Sequence, residues 1–600
     1  MSEKRDVSLP PVRGGGGMQR GKPVEKPKDM RGTLRRLWEL CRGHGRGLGW
    51  IMLLSALASA SSVFSPFIIG RAINSINGSV TATRIIALLA GLYVSDWLVR
   101  FVQQYFMASI SQRLILHIRE TLFGAMKSLP LRYFDRHRHG ELMSRLTNDV
   151  DNISTTISDS LSQLMIYVFT IVGVLTIMLV SNVFLTLISC STVILIFILT
   201  RVITVRTRKL YKQQQSLLGK LNGQIEESIS GLSLVKAYSR ESAMIREFED
   251  YNEQYRHAAT QAAIVSGYLM PLTTVINNLS YLTIAVVSGI MAARGTIDLG
   301  VISSFLLYSK QFSRPFVDIA NIYNNFQSAV AGAERVFEII DERPEPEDVP
   351  DAVPIERIRG DIALRNVTFG YDEENPVLKN VSLTVPAGTR VAIVGPTGAG
   401  KTTIINLLTR FYDVDGGEIL LDGVDLRDYK LRDLRRAFGV VLQDTSLFGV
   451  SVRENIAYGS DGTTLGEVRD AAVTAGADSF ISRLPREYET VLDGGGASLS
   501  QGERQLVTIA RAVLVDAPIL ILDEATSSVD TMTEQKIRSA ILKLTAGRTS
   551  FIIAHRLSTI RDSDVIVLIQ DGKIAEQGSH SELMSLGGLY AEMYKTQTGN

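Results

Sequence analysis

Apolar runs about as long as a bilayer core is thick, roughly 20 residues each, recur at 48–73, 85–108, 161–181, 183–204, 266–292 and 298–320. They predict six membrane-spanning helices, and an even number puts both chain ends on one side. The connectors alternate in length. Those at 74–84, at Ser181 and Asn182, and at 292–300 are brief, whereas 109–160 and 205–265 are long, helical in pattern and rich in Lys and Arg. Basic connectors mark the cytoplasmic face, so the long ones and both termini are expected in the cytosol. A helix that continues past the bilayer keeps its backbone hydrogen bonds satisfied. The long connectors therefore read as helical arms.

Polar stretches flank this pattern. Residues 1–31 are rich in Gly, Pro, Lys and Arg and are expected to be a disordered tail. Over 32–46, Leu34, Leu37, Trp38 and Cys41 fall at helical spacing among arginines. This suits an elbow helix on an anionic membrane surface or, alternatively, a helix packed on protein. The first run begins near Leu48, without a cleavage pattern after it, and reads as a retained span. A membrane domain is expected over 47–335 and a linker over 336–360, where Pro344, Pro346, Pro350 and Pro354 break helix. Over 361–600, short apolar strands at 390–394, 439–442, 519–522 and 550–553 alternate with helical stretches, the pattern of an α/β domain with a largely parallel sheet.

Composition agrees with that division. The chain is 45% hydrophobic and 21% charged, with a formal net charge of +1, a balance that does not point to nucleic acid. Two cysteines, Cys41 and Cys190, provide neither a disulfide framework nor a cysteine metal cluster.

The chemistry lies in the second half. The strand Val391-Ala392-Ile393-Val394 leads into Gly395-Pro396-Thr397-Gly398-Ala399-Gly400-Lys401-Thr402, followed by a helical stretch from Thr403. This is a complete P-loop, whose glycines let backbone N–H groups face phosphate at a helix N-terminus. Lys401 is expected to reach the β and γ phosphates and Thr402 to ligate Mg²⁺. The strand 519–522 ends in Asp523-Glu524, which would supply an outer-shell carboxylate for Mg²⁺ and a base to polarise the attacking water.

Between these motifs lies Leu499-Ser500-Gln501-Gly502-Glu503, similar to the Leu-Ser-Gly-Gly-Gln signature of the ATP-binding-cassette (ABC) superfamily. The resemblance spans the whole cassette, and six spans with long arms resemble its exporter branch. The implied fold is an α-helical polytopic membrane domain (type I ABC exporter) fused to an α/β P-loop nucleotide-binding domain. The resemblance adds Gln443 as the Q-loop and a metal ligand, Asp530 as the D-loop, His555 as the switch histidine and Tyr371 as the aromatic stacking on adenine. With them, Gly395, Thr397, Gly398, Ala399, Gly400 and Thr403 would hold ATP. It also implies dimerisation, because the signature residues Ser500, Gln501, Gly502 and Glu503 of one cassette would close over nucleotide held by the other.

The sequence departs from the family where Gln501 replaces Gly and Glu503 replaces Gln, and where Asp493-Gly494-Gly495-Gly496 replaces a Val-Gly-Glu-Arg-Gly run. These departures resemble the competent subunit of bacterial heterodimeric multidrug exporters, so a second half-transporter is expected as partner; a homodimeric lipid or peptide exporter is the alternative. The resemblance implies a multi-pass protein of the bacterial cell membrane moving small amphipathic compounds. An ATP-gated channel or sensor shares the architecture. By position and resemblance, the arm tips that dock on cassettes are expected at 144–152 and 235–240, against 443–448. Asp96 and Arg100, four apart within the second span, either line a cavity or neutralise each other. Asn277, Asn278, Gln311 and Arg314 read as links between helices or as lining of a path.

Overall fold

A computed structural model describes residues 27–42, 45–74, 79–355, 357–372, 375–442, 445–460, 462–496, 498–523, 531–553 and 560–598. They form two compact units. One holds the chain up to Ser128 together with His139–Arg343; the other holds Leu129–Arg138 together with the chain from Pro344 onward. Of the tail expected over 1–31, residues 1–26 lie outside the described residues.

The first unit is helical: α1 (Met30–Arg42), α2 (Gly45–Asn74) and α3 (Ser79–Ser128), then, beyond the excursion into the other unit, α5 (His139–Ser181), α6 (Val183–Ser230), α7 (Leu232–Ala237), α8 (Glu241–Gly267), α9 (Leu269–Ala293) and α10 (Leu299–Ile340). Among the described residues, five helices are long and apolar enough to cross a membrane, the fifth running through α8 and α9. The sixth expected span falls on α10, which is 42 residues long but places Lys310, Arg314 and Asp318 within 298–320. Those three charges keep it below the apolarity of the other five. Large apolar side chains such as Trp97 and Phe197 point outward, as they must where the solvent is lipid.

Polar side chains and small residues bind these helices together. Pro66 within α2 has no N–H, which leaves the carbonyl of Ser62 one turn earlier without its helical donor. Gln311 of α10 donates to that carbonyl at 3.1 Å. Tyr308, fully buried, donates to the carbonyl of Val63 at 2.8 Å. Where α2 and α10 cross, Gly70 and Gly300 meet so closely that a Cβ on Gly70 would stand 2.4 Å from the carbonyl oxygen of Gly300.

The helices α3 and α6 are 50 and 48 residues long, about 75 and 72 Å at 1.5 Å per residue, far beyond a hydrocarbon core of about 30 Å. The first arm ends where Pro130 stops α3. The short helix α4 (Leu131–Arg136) follows, with Pro130 as its N-cap, and belongs to the second unit. This corrects the expected tip at 144–152. That stretch lies inside α5, where Arg335 of α10 forks onto Asp149 at 2.9 and 2.5 Å. The second arm turns at α7, where Leu234 and Tyr238 are exposed.

At the start of the unit, Arg36 of α1 pairs with Asp341 and lies over the ring of Phe337 at 4.3 Å. The N–H groups of Lys28 and Asp29 both donate to Glu334 at 2.8 Å. Packing on protein is therefore what this face of α1 does, while Trp38 is left exposed. The helix α10 continues to Ile340, so the first residues of the stretch expected as linker are helical.

The second unit carries two sheets. Strands β1 (Ile362–Phe369), β2 (Leu378–Val385), β4 (Gly416–Leu421) and β5 (Val424–Asp425) form an antiparallel sheet in the order β2-β1-β4-β5. The second sheet has the order β10-β9-β3-β8-β7-β6, built from β3 (Arg390–Val394), β6 (Phe438–Val441), β7 (Ile519–Asp523), β8 (Thr549–Ile553), β9 (Val565–Gln570) and β10 (Lys573–Gly578). All its pairings are parallel except β9 with β10. The central strands β7 and β8 are buried along their whole length, as continuous apolar runs covered on both faces require.

Candidate functional site

The site starts at the C-terminal end of β3, with β8 on one side and β9 on the other. Gly395 leaves the strand at φ 149°, and a Cβ there would stand 2.2 Å from the carbonyl oxygen of Ile569. No larger residue fits. Thr397 and Gly398 are exposed at the crest, Ala399 is buried, and Gly400, at φ 104°, caps the helix Lys401–Leu408. The first N–H groups of this helix have no partner within it. They add a positive partial charge at the loop.

Lys401 is only 8% exposed and donates from Nζ to the carbonyls of Gly395 and Pro396, both at 2.9 Å. Burial lowers its pKa from the ordinary lysine value, and the negative charge of Asp523 partly opposes this. A buried ammonium held by two neutral carbonyls, beside a helix N-terminus, is a site for an anion. A polyphosphate fits that donor set. Thr402 is exposed beside it, and Asp523 closes β7, 7% exposed. Among the described residues no group of three His, Cys, Asp or Glu could hold a metal, and the oxygen donors they offer a divalent ion beside the loop are Thr402 and Asp523.

Tyr371 stands over the start of the same helix. Its hydroxyl lies 3.3 Å from the Thr403 hydroxyl and accepts from Asn406 at 3.1 Å. Its ring meets those of Phe369 and Tyr412 edge-on, with centroids 5.2 Å apart in each case. The carbonyl of Tyr371 accepts from Arg132 of α4 at 2.9 Å. Tyr412 is buried, and its hydroxyl donates to Asp135 of the same short helix. Burial and that carboxylate together raise the Tyr412 hydroxyl well above the ordinary tyrosine range. Arg132, Asp135, Asn406 and Tyr412 were not singled out in the sequence. The available signals were the proline that ends the first arm and the Phe411-Tyr412 pair just past the P-loop helix.

The signature residues start the helix Gln501–Val515. Ser500 is its N-cap and forms a capping box with Glu503: the Glu503 N–H donates to the Ser500 hydroxyl at 3.3 Å, and the Glu503 carboxylate accepts from the Ser500 N–H and hydroxyl, both at 2.9 Å. The carboxylate is thus folded back on the helix end. Gln501 is half-buried in the first turn and Gly502 is buried. Gln443, Glu524, Asp530 and His555 lie outside the described residues.

Comparison with known proteins agrees with this geometry. The family described as ABC transporter transmembrane region matches residues 48–316, and the family described as ABC transporter matches 378–527. An uncharacterized ABC transporter ATP-binding protein, YfiC of Bacillus subtilis, is 45% identical over 575 residues, covering 95% of each chain. A fatty acid ABC transporter ATP-binding/permease protein of Mycobacterium bovis is 42% identical, covering 92% of this chain and 88% of its own. An ATP-dependent lipid A-core flippase of Syntrophus aciditrophicus is 36% identical, covering 95% and 96%. Among solved structures, a bacterial Atm1-family ABC exporter with ATP bound superposes with a TM-score of 0.74 at 33% identity, covering 92% and 98%. A helical membrane unit fused to a P-loop cassette, with relatives alike along nearly their whole length, establishes that this chain belongs to the ABC transporters, as an exporter half-transporter that hydrolyses ATP to drive transport.

Proposed function

We propose that the chain is the hydrolytic subunit of a heterodimeric exporter for amphipathic or hydrophobic compounds, working by alternating access from the cytosol or inner leaflet. Lys401 and the loop N–H groups hold the β and γ phosphates of ATP, Thr402 and Asp523 with Gln443 hold Mg²⁺, Glu524 polarises the attacking water, and His555 contacts the γ phosphate. Tyr371 stacks on adenine once its hydroxyl leaves Thr403 and Asn406. The signature end of the cassette serves the partner's nucleotide, and Asp530 lies at the junction. The cassette faces the cytosol of a bacterial cell.

The capping box at Ser500 carries the heterodimer reading. Glu503 uses both the N–H and the hydroxyl proton of Ser500, so a phosphate arriving there meets a carboxylate already on the donors. At a separation of about 5 Å and an effective dielectric of about 20, two unit charges repel by about 3 kcal/mol. Such a signature suits a weak site in trans, while this chain's own P-loop is served by a sounder one. The exposed Leu234 and Tyr238 at the tip of the second arm offer apolar contact to the partner's cassette. Fatty acid and lipid A-core, named for two relatives, share apolar chains, and cargo of that kind suits a lipid-embedded unit.

Expressing the chain alone and with a second half-transporter tests this. The pair is expected to turn over ATP at least tenfold faster than the chain alone, with Glu524→Gln in this chain abolishing both turnover and cargo movement. Robust ATPase from a stable homodimer would overturn the heterodimer reading; full activity in the Glu524→Gln pair would overturn the assignment of the base.

A further inference from the structure

A cavity of 520 Å³ opens within the membrane unit among α2, α3, α5 and α10, a volume in the range of small-molecule sites. Its lining belongs to the apolar segments 48–73, 85–108, 161–181 and 298–320, so it lies at membrane depth. Pro66, Ile69, Leu92, Ile166 and Leu307 make much of it apolar. The remainder is charged: Asp96, Arg100, Lys310 and Arg314 all line it.

Most of these charges are already paired. Arg100 donates to Asp96 at 2.8 Å. Arg314 lies 3.8 Å from Asp318, which also accepts from Tyr167 at 2.8 Å. Lys310 differs. Among the described residues it has no carboxylate within ion-pair distance, and its ammonium lies 5.1 Å from the centre of the Tyr281 ring. Three cations against two carboxylates leave one positive charge in excess, on a helix where a charge at membrane depth is costly unless it serves a ligand. Asp96 gives Oδ2 to Arg100, and its Oδ1 is buried, so neither oxygen is offered to a cationic head.

We propose that this cavity binds a single-chain amphiphile with an anionic head, its carboxylate or phosphate on Lys310 and its chain along the apolar wall. Arg314, one turn further along α10, and Arg100 supply the neighbouring cations, and Asp96 sets the selectivity by holding Arg100. A cationic head finds both carboxylates occupied and an ammonium in its way. The proposal rests on the exporter reading above and narrows its cargo.

The test uses the assembled transporter in nanodiscs and four probes with the same twelve-carbon chain: laurate, lauryl phosphate, dodecanol and dodecyltrimethylammonium. Binding is read by displacement of a fluorescent dansyl-undecanoate, and ATPase is read separately. Laurate or lauryl phosphate is expected to displace the dye at least tenfold better than the neutral and cationic probes, and the ratio between the two shows which head group is preferred. Lys310→Gln should weaken anion binding about tenfold and Lys310→Glu further. Asp96→Asn, which releases Arg100, should strengthen it severalfold, so the idea stays testable if the Lys310 variants do not assemble. Arg294→Gln, remote from the cavity, should change nothing. Equal displacement by all four probes, or anion binding indifferent to both Lys310 and Asp96, would overturn the proposal even if ATPase proceeds. Charge-selective binding in an assembled transporter where this chain's own cassette does not turn over ATP would keep this site and remove the reading of this chain as the hydrolytic subunit.

Discussion

Glu503 shows how one side chain can hold two meanings. In sequence it is a charged departure at a position expected to face a partner's phosphate; in the structure it completes the box that starts the signature helix. Glutamine can make the same two contacts without the charge. Glu503→Gln is therefore expected to leave amide exchange at the helix start unchanged while raising ATP affinity at the signature-facing site severalfold. Ser500→Ala should cost about 1 kcal/mol of local stability, visible as faster exchange of the Glu503 amide. If Glu503→Gln leaves nucleotide affinity unmoved, repulsion is not what weakens this signature. The placement of Lys401, Thr402 and Asp523 at the ends of a helix and a strand was legible from sequence because a P-loop and a strand ending in an acid are local patterns. Tyr412 and Arg132 were not: Tyr412 pairs with Asp135, 277 positions away, and Arg132 with Tyr371, 239 away, and no spacing announces either pairing.

Among the elements, the six long helices were legible from apolar runs, and strands 390–394, 519–522 and 550–553 reappear as β3, β7 and β8 within a residue at either end. The first arm's tip was misplaced because basic helical pattern continues on both sides of it, and Pro130, a stop for α3 and an N-cap for α4, is a single residue in that run. Since Arg132 and Asp135 hold Tyr371 and Tyr412, α4 braces the aromatic group over the P-loop helix. Tyr412→Phe is expected to keep the fold but raise the KM for ATP about threefold to tenfold, and Asp135→Asn should do the same. An unchanged KM in both would reduce α4 to a structural plug.

Three other cassette helices start with the same box, at Ser451 with Glu454, Thr464 with Glu467 and Ser579 with Glu582. Their hydroxyl and N–H donors hold all three glutamates below the ordinary value. A carboxylate whose folded pKa is depressed stabilises fully above the unfolded value, about 4.3, and loses that contribution as pH falls through the folded value. Exchange protection at the three helix starts should therefore be flat from neutrality to about pH 5 and decline below about pH 4. Protection that declined instead between pH 5 and 7 would point to another group.

At the scale of the whole molecule, the sixth long helix poses a problem that a single chain does not solve. Lys310, Arg314 and Asp318 cannot face hydrocarbon without a cost of about 2.5–3.5 kcal/mol apiece, yet the Arg314 side chain is 83% exposed. Among the described residues no other helix of this chain covers that cation, so this face of α10 is expected to meet water, as it would around an aqueous path shared with a second subunit. On the outer face, Phe197 of α6 is 66% exposed and has only apolar neighbours in its sequence. With Cys41 and Cys190 replaced by serine, Arg314→Cys in the reconstituted dimer should react with a membrane-impermeant cationic methanethiosulfonate within minutes. Phe197→Cys should not react. Closing the transporter with ATP and vanadate should change the rate at 314 and leave 197 silent, the outcome expected when the first lies on a path that alternates. If 314 were as unreactive as 197, that face of α10 would be covered by protein or lipid, and the route for cargo would have to be sought on another helix.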